Sequence, residues 1–191
     1  MKAPLFEFPC YQYQISDWKV KKKMLIDRIS KQTFIRSDYI TPAGVGYNIN
    51  LETDRPNGKS YVRYLQDILT PELSQFSKEV GDNFYIESAW CGRYVKGDCQ
   101  NIHNHRSWGF SAVLYLVFDP KIHAPTLFVS PWQNPIDDTT HVGSPQNVTE
   151  GTVFIFPSCC LHYVTPSKAS QPRIIVAFDL LPEHQLLNKN V

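Results

Sequence analysis

The chain lacks a charge imbalance. Nineteen Lys and Arg stand against eighteen Asp and Glu, a formal net charge of +1 over 191 residues. That removes the electrostatic case for a nucleic-acid groove or for docking on an acidic membrane surface. The one basic cluster, between Lys19 and Lys23, fits the solvated face of a helix. Also missing is any run near the ~18 apolar residues that a membrane span needs. The opening residues MKAPLFEFPC hold no apolar core of a secretory leader. Nor is there a workable disulfide framework, because Cys10, Cys91, Cys99, Cys159 and Cys160 are odd in number and two are adjacent. Together these absences predict a reducing, cytoplasmic setting. The Asn147-Val148-Thr149 sequon then carries little meaning.

What is present is a globular composition, 42% hydrophobic, with an aromatic excess at 13%. The length suits one domain, 1–191, able to build a core without staples. The first part, 1–83, reads as mainly helical support. Asp17–Lys31 puts Trp18, Leu25 and Ile29 on one stripe with Ser16 as N-cap. Tyr61–Val80 puts Leu65, Ile68, Leu69, Leu73, Phe76 and Val80 inward, with Ser60 capping, Gly81 ending it and Pro71 kinking or splitting it. From 84 to 182 the pattern becomes short Val, Ile, Phe and Tyr segments punctuated by Gly and Pro. These are Phe84–Tyr94, Ser111–Phe118, Thr126–Val129, Thr152–Phe156 and Arg173–Asp179. Close-spaced strands predict an antiparallel sandwich or barrel, with the helices packed on one face, so the class is α+β and mainly β.

The chemistry concentrates in "NIHNHRSWGFSAVLYL". Residues i and i+2 of a strand share a face, so His103 and His105 project into one space. Two buried imidazoles need partners. A third imidazole, His162, returns after the strand that Gly151 opens and Pro157 ends. Arg173 then begins the final strand, with no apolar neighbour to serve, which makes a ligand carboxylate a candidate for its planar fork.

The order H-x-H, then G-x5-P-x4-H, then R resembles the iron(II)- and 2-oxoglutarate-dependent oxygenases. More narrowly it resembles the uncharacterised 2OG-Fe(II) oxygenases with an H-x-H…YL…G-x-x-x-x-F-P…H-x-V-x-P…R pattern. Here those elements are His103-Asn104-His105, Tyr115-Leu116, Gly151 with Phe156-Pro157, His162 to Pro166, and Arg173. The resemblance spans Tyr85 to Leu180. It implies a double-stranded β-helix, the jelly-roll or cupin-type barrel, with metal inside one mouth. It further implies Fe(II), 2-oxoglutarate as cosubstrate and O2, and a hydroxylated substrate with release of succinate and CO2. Carried over, His103 and His162 are metal ligands and Arg173 pairs with the far carboxylate of 2-oxoglutarate. His105 stands where the superfamily has a carboxylate. Either three imidazoles hold the metal, or one of Asp98, Asp119 and Asp179 replaces one of them.

Tyr115 and Ser111 are further candidates for binding 2-oxoglutarate, with Tyr94 a weaker one. Asn101 and Asn104 could orient the ligands, though asparagine there is ordinary turn chemistry. Trp90, Trp108 and Trp132 either line a channel or fill the core. Cys159 and Cys160 read as small fillers. His123, His141 and His184 read as surface residues. The loop 117–143, with four prolines and Asp137-Asp138, is the candidate substrate lid. Two other functions remain open. One is a cupin-type three-histidine metalloprotein that does not use 2-oxoglutarate, and the other is a metal-free binding barrel. The partner is then an unidentified small-molecule or peptidyl substrate, with no nucleic acid and no membrane, and the helical half could offer a homodimer face.

Overall fold

The computed structural model describes residues 8–36, 48–49, 51–53 and 59–184. The chain opens with β1 (Tyr11–Gln14), α1 (Trp18–Ile29), β2 (Phe34–Arg36), β3 (Asn48–Ile49) and β4 (Leu51–Thr53). Two helices follow, α2 (Lys59–Ile68) and α3 (Thr70–Val80). Eight strands complete it: β5 (Phe84–Tyr94), β6 (Cys99–His103), β7 (Phe110–Val117), β8 (Leu127–Gln133), β9 (Thr140–Gly143), β10 (Thr152–Pro157), β11 (His162–Val164) and β12 (Arg173–Pro182).

The expected helix over 61–80 is two helices, and Pro71 explains the break. It sits in the first turn of α3, where a missing N–H costs nothing, and Leu69 between the helices is non-helical. Gly81 ends α3 in the left-handed conformation (φ 82°), donating to the Ser77 carbonyl. The other two ends differ from the expected caps. Ser60 lies inside α2. Asp17, not Ser16, precedes α1, and Ser16 instead donates its backbone N–H to Glu72 Oε1 at 3.2 Å.

The strands form two antiparallel sheets, one of seven strands ordered β1-β10-β7-β12-β5-β4-β2 and one of five ordered β3-β6-β11-β8-β9. From β5 to β12 the chain passes back and forth between the sheets, with only β8 and β9 consecutive in one. That winding makes the jelly roll. The short strands β1 to β4, β6, β9 and β11 have no signal long enough to read as alternation, and β11 is three residues.

Alternation along β12 divides two cores. Val176, Phe178 and Leu180 face the helices, meeting Leu65, Leu69, Leu73 and Phe76. Phe76 anchors that layer, its ring 5.0 Å from Tyr11, 4.8 Å from Phe84 and 5.0 Å from Phe110. Truncating such a ring to alanine costs about 3–5 kcal/mol. Ile175 and Ala177 face the other way, into the space between the sheets, with Trp90, Tyr94, Val113, Tyr115, Phe156 and Val164. Arg173 and Asp179 share that second phase.

A bulge adjusts β5. Asp179 pairs with Ser88 but Leu180 with Ile86, so Glu87 is the extra residue. The slip lets Ile86 and Ala89 both face the helical core while Ser88 points at Asp179.

Candidate metal centre

His103 ends β6 and His162 begins β11, and the two are direct antiparallel partners. His105 lies beyond β6, where its backbone N–H donates to the Ser158 carbonyl at 3.0 Å. Ring centroids are 4.3 Å apart for His103 and His162, 5.1 Å for His105 and His162, and 5.4 Å for His103 and His105. One nitrogen from each ring lies within 4.8 Å of the others, and among the described residues no further His, Cys, Asp or Glu joins this group.

Each ring is oriented from behind through Nδ1. His103 donates to the Asn101 carbonyl at 2.8 Å, His162 to the Cys160 carbonyl at 2.9 Å, and His105 to Asp179 Oδ1 at 2.6 Å. With the Nδ1 proton placed by these acceptors, every Nε2 is left with a lone pair. Gln100 donates weakly to Nε2 of His103, at 3.4 Å. Burial, with the neighbouring His103, pushes His162 down to about 3, so that imidazole is neutral at any ordinary pH. Phe128 and Phe156 pack on His162, and Trp90 lies 5.3 Å from His105.

Asp179 is the best-connected acid. Ser111 Oγ donates to Oδ1 at 2.8 Å, Ser88 Oγ to Oδ2 at 3.1 Å, and Ser158 lies 2.8 Å from Ser111. Arg106 Nη2 is 3.5 Å from Oδ2 but 2.7 Å from Glu87. Burial pushes this carboxyl up, yet the bonds from His105 and Ser111 and the nearby Arg106 outweigh it, holding it below the usual carboxylate range. Asp98 and Asp119 accept from backbone N–H groups of their own turns, Val95 and Lys121.

Arg173 is 2% exposed. Its guanidinium lies 5.0 Å from the Tyr94 ring centroid and 5.6 Å from that of Tyr115, and Nη2 donates to Thr126 Oγ1 at 3.2 Å. Nε and Nη1 are buried with no hydrogen-bond partner among the described residues. A cavity of about 260 Å³ reaches the group, lined by Tyr94, His123, Val164, Thr165 and Lys168 among others. Tyr94 links this end to the histidines, because its hydroxyl donates to Gln100 Oε1 at 2.5 Å.

The Tyr115 ring lies 5.6 Å from the Arg173 guanidinium, and its oxygen accepts from the Thr126 N–H at 3.1 Å. Ser111 does not reach that end. It is fully buried behind His105, engaged with Asp179 and Ser158. Asn101 acts through its carbonyl, and Asn104 is exposed. Trp90 is core, whereas Trp108 and Trp132 are exposed. Cys160 is no thiolate, since burial and the neighbouring Cys10 and Cys159 push it up to about 12. His141 and His184 are exposed, but His123 is buried, its Nδ1 accepting from the Asp119 N–H and its Nε2 donating to the Gln171 carbonyl. The segment 117–143 holds the hairpin β8–β9 rather than a loop. Thr126, Ser88, Gln100 and Ser158 escape sequence reading, because single polar residues there carry no spacing signal. Asp179 does carry one, since it stands in phase with Arg173 on an otherwise apolar strand.

Residues 88–179 match a family described as "Putative 2OG-Fe(II) oxygenase". No curated protein matches the chain in sequence. Among solved structures, an oxidoreductase of the 2OG-Fe(II) oxygenase family from Burkholderia pseudomallei is similar, with a TM-score of 0.61 and 15% identity over 90% of this chain and 84% of that one. HygX from Streptomyces hygroscopicus, with nickel and 2-oxoglutarate bound, gives 0.63 and 11% over 92% and 84%. A prolyl-4-hydroxylase from Pseudomonas putida gives 0.55 and 16% over 90% and 92%. The shared architecture is the double-stranded β-helix.

Proposed function

We propose, from the match of residues 88–179 to the family described as "Putative 2OG-Fe(II) oxygenase", that this chain is an Fe(II)- and 2-oxoglutarate-dependent dioxygenase that hydroxylates a small-molecule or peptidyl substrate. In it His103, His105 and His162 hold the metal and Arg173 anchors 2-oxoglutarate. The donor set fits a divalent metal: three imidazoles, one neutral by burial, each offering one ring nitrogen within 4.8 Å of the others. Three protein ligands leave coordination positions open, as a site of this class needs.

The observation that carries the reading is Arg173. A buried guanidinium with Nε and Nη1 unpartnered is costly, and a carboxylate is the group its planar fork matches. Tyr115 adds a hydroxyl donor from the neighbouring strand. When bound, Fe(II), 2-oxoglutarate and O2 supply the oxidant for a C–H bond, and 2-oxoglutarate leaves as succinate and CO2. The residues of the chain bind, orient and keep water out. Phe128, Phe156 and Trp90 wall the rings on their apolar sides. A cupin-type three-histidine protein without 2-oxoglutarate would give Arg173 no role, and a metal-free barrel would give the gathered ring nitrogens none. Five cysteines with no disulfide among them support a reducing, cytoplasmic location. Among the described residues no helix is long and apolar enough to cross a membrane.

The test adds Fe(II) and then 2-oxoglutarate to metal-free protein under anaerobic conditions, recording the weak visible charge-transfer band of the chelate. The band is expected with wild type, and Arg173→Ala should need far more 2-oxoglutarate to form it. Iron binding without a band at any 2-oxoglutarate concentration would overturn the assignment.

A further inference from the structure

A centre of three neutral imidazoles leaves a divalent ion without an anionic ligand, and the nearest candidate charge is one residue further out. The Asp179 carboxylate takes the Nδ1–H of His105 at 2.6 Å, the distance of a charge-assisted hydrogen bond. Its other contacts immobilise it without cancelling its charge. Ser111, held in turn by Ser158, and Ser88 are neutral donors reaching separate oxygens. Among the described residues Arg106 is the one cation in an ion pair with it besides His105, and Glu87 takes the shorter of the two Arg106 contacts, 2.7 against 3.5 Å. Glu87 is the residue the β5 bulge adds, so the slip in register that aims Ser88 at Asp179 also supplies the acid that draws Arg106 aside. The carboxylate is 5% exposed, so water screens it little.

We propose that Asp179 is a positioning residue for the metal centre, supplying through His105 the negative charge that the three-histidine ligand set lacks. This rests on the assignment of His103, His105 and His162 as ligands. It gives the acid a different place from a direct ligand, because its Oδ1 takes Nδ1 of His105, its Oδ2 takes Ser88, and it lies outside the group of three histidines. Hydrogen bonding to a carboxylate raises imidazole basicity and fixes ring orientation, and loss of such a partner costs metal affinity by roughly 10–100-fold. Asp179 and its serines are thus expected to set how tightly the centre holds a divalent ion and how readily iron there is oxidised.

The experiment compares wild type, His105→Ala, Asp179→Asn and Ser111→Ala. Co(II) and Fe(II) affinities are measured anaerobically by competition with a chromophoric chelator, alongside the Co(II) visible spectrum and the Fe(III)/Fe(II) potential. Asp179→Asn keeps the shape and one acceptor oxygen but removes the charge; melting of the metal-free protein verifies that it folds. The expected result is roughly 10–100-fold weaker binding for Asp179→Asn, a shifted Co(II) spectrum and a raised potential. Ser111→Ala should lie between it and wild type. If His105→Ala loses the metal while folded Asp179→Asn binds it within twofold of wild type at an unchanged potential, the role of Asp179 is overturned and the ligand set stands. If His105→Ala itself binds like wild type, the ligand assignment fails, and with it this inference.

Discussion

The guanidinium of Arg173 is stacked over the ring of Tyr94, its register partner across β12 and β5, at 5.0 Å. The stack and one bond to Thr126 satisfy only part of a buried cation. Arg173→Met removes that charge while keeping a flexible apolar stem. The metal-free variant is expected to melt no lower than wild type, since a buried uncompensated charge is itself destabilising. It should lose the rise in melting temperature expected of wild type with 2-oxoglutarate and metal. Differential scanning calorimetry reads both, and an unchanged response to 2-oxoglutarate would count against the anchor.

Protonation of His162 sets an acid limit on the metal-free protein. Its unfolded value is 6.5 and its folded value about 3. Above pH 6.5 neither state is protonated there, so the residue contributes no slope. Between pH 6.5 and 3 the unfolded chain takes up a proton that the native state refuses, and stability falls with pH by at most about 1.4 kcal/mol per unit. Urea unfolding at pH 7, 6 and 5 should show this loss, and His162→Asn should have a shallower slope than wild type.

Gly151 joins three strands. Its N–H donates to the Tyr115 carbonyl and its carbonyl accepts from Ile15, at φ 81°. A Cβ would lie 2.7 Å from Trp18 and 2.8 Å from Gln14. Gly151→Ala therefore adds backbone strain of about 1–3 kcal/mol and an overpacking cost of similar size. A clearly lowered melting temperature is expected, with metal affinity of the folded fraction retained.

Cys160 stands two residues from His162 yet holds its proton, its thiol pushed up to about 12 by burial and by Cys10 and Cys159. Alkylation of Cys160 by iodoacetamide at pH 8 should be slower than that of an unstructured peptide thiol. Cys160→Ser should leave Co(II) affinity unchanged, and a large loss there would mean that sulfur enters the site.

The sequence makes the site more legible than the fold around it. His103, His105, His162 and Arg173 announce themselves because histidine and arginine at strand-like positions have few bland uses, and all four do converge on the inter-sheet space. The bounds of Phe84–Tyr94 follow from the sequence, because an apolar and aromatic run between Gly81-Asp82-Asn83 and Lys96-Gly97-Asp98 leaves little freedom. The hairpin of Leu127–Gln133 and Thr140–Gly143 is hidden by Pro131, which sits in the irregular stretch of the pairing between Val129 and Gln133, and by Pro135 in the turn. His123 has the sequence surroundings of a loop residue, but its burial depends on contacts with Asp119 and Gln171, the second far off in sequence. For Ser111 the alternation predicts the inward direction and not the partner, since it fixes a face but not which inward neighbour a hydroxyl meets.

The last strand works as a ruler. Arg173 and Asp179 share one face of β12, and at about 3.3 Å per residue they stand roughly 20 Å apart along it. No small dicarboxylate could touch both, so a carboxylate held by Arg173 and the imidazole held by Asp179 use opposite ends of one strand. Because the side-chain period is two, a single residue inserted between them would turn one of the pair toward the helices. Without a compensating bulge such as the one at Glu87, this spacing changes only in steps of two residues, so the pleat of a single strand ties the Arg173 end to the Asp179 end.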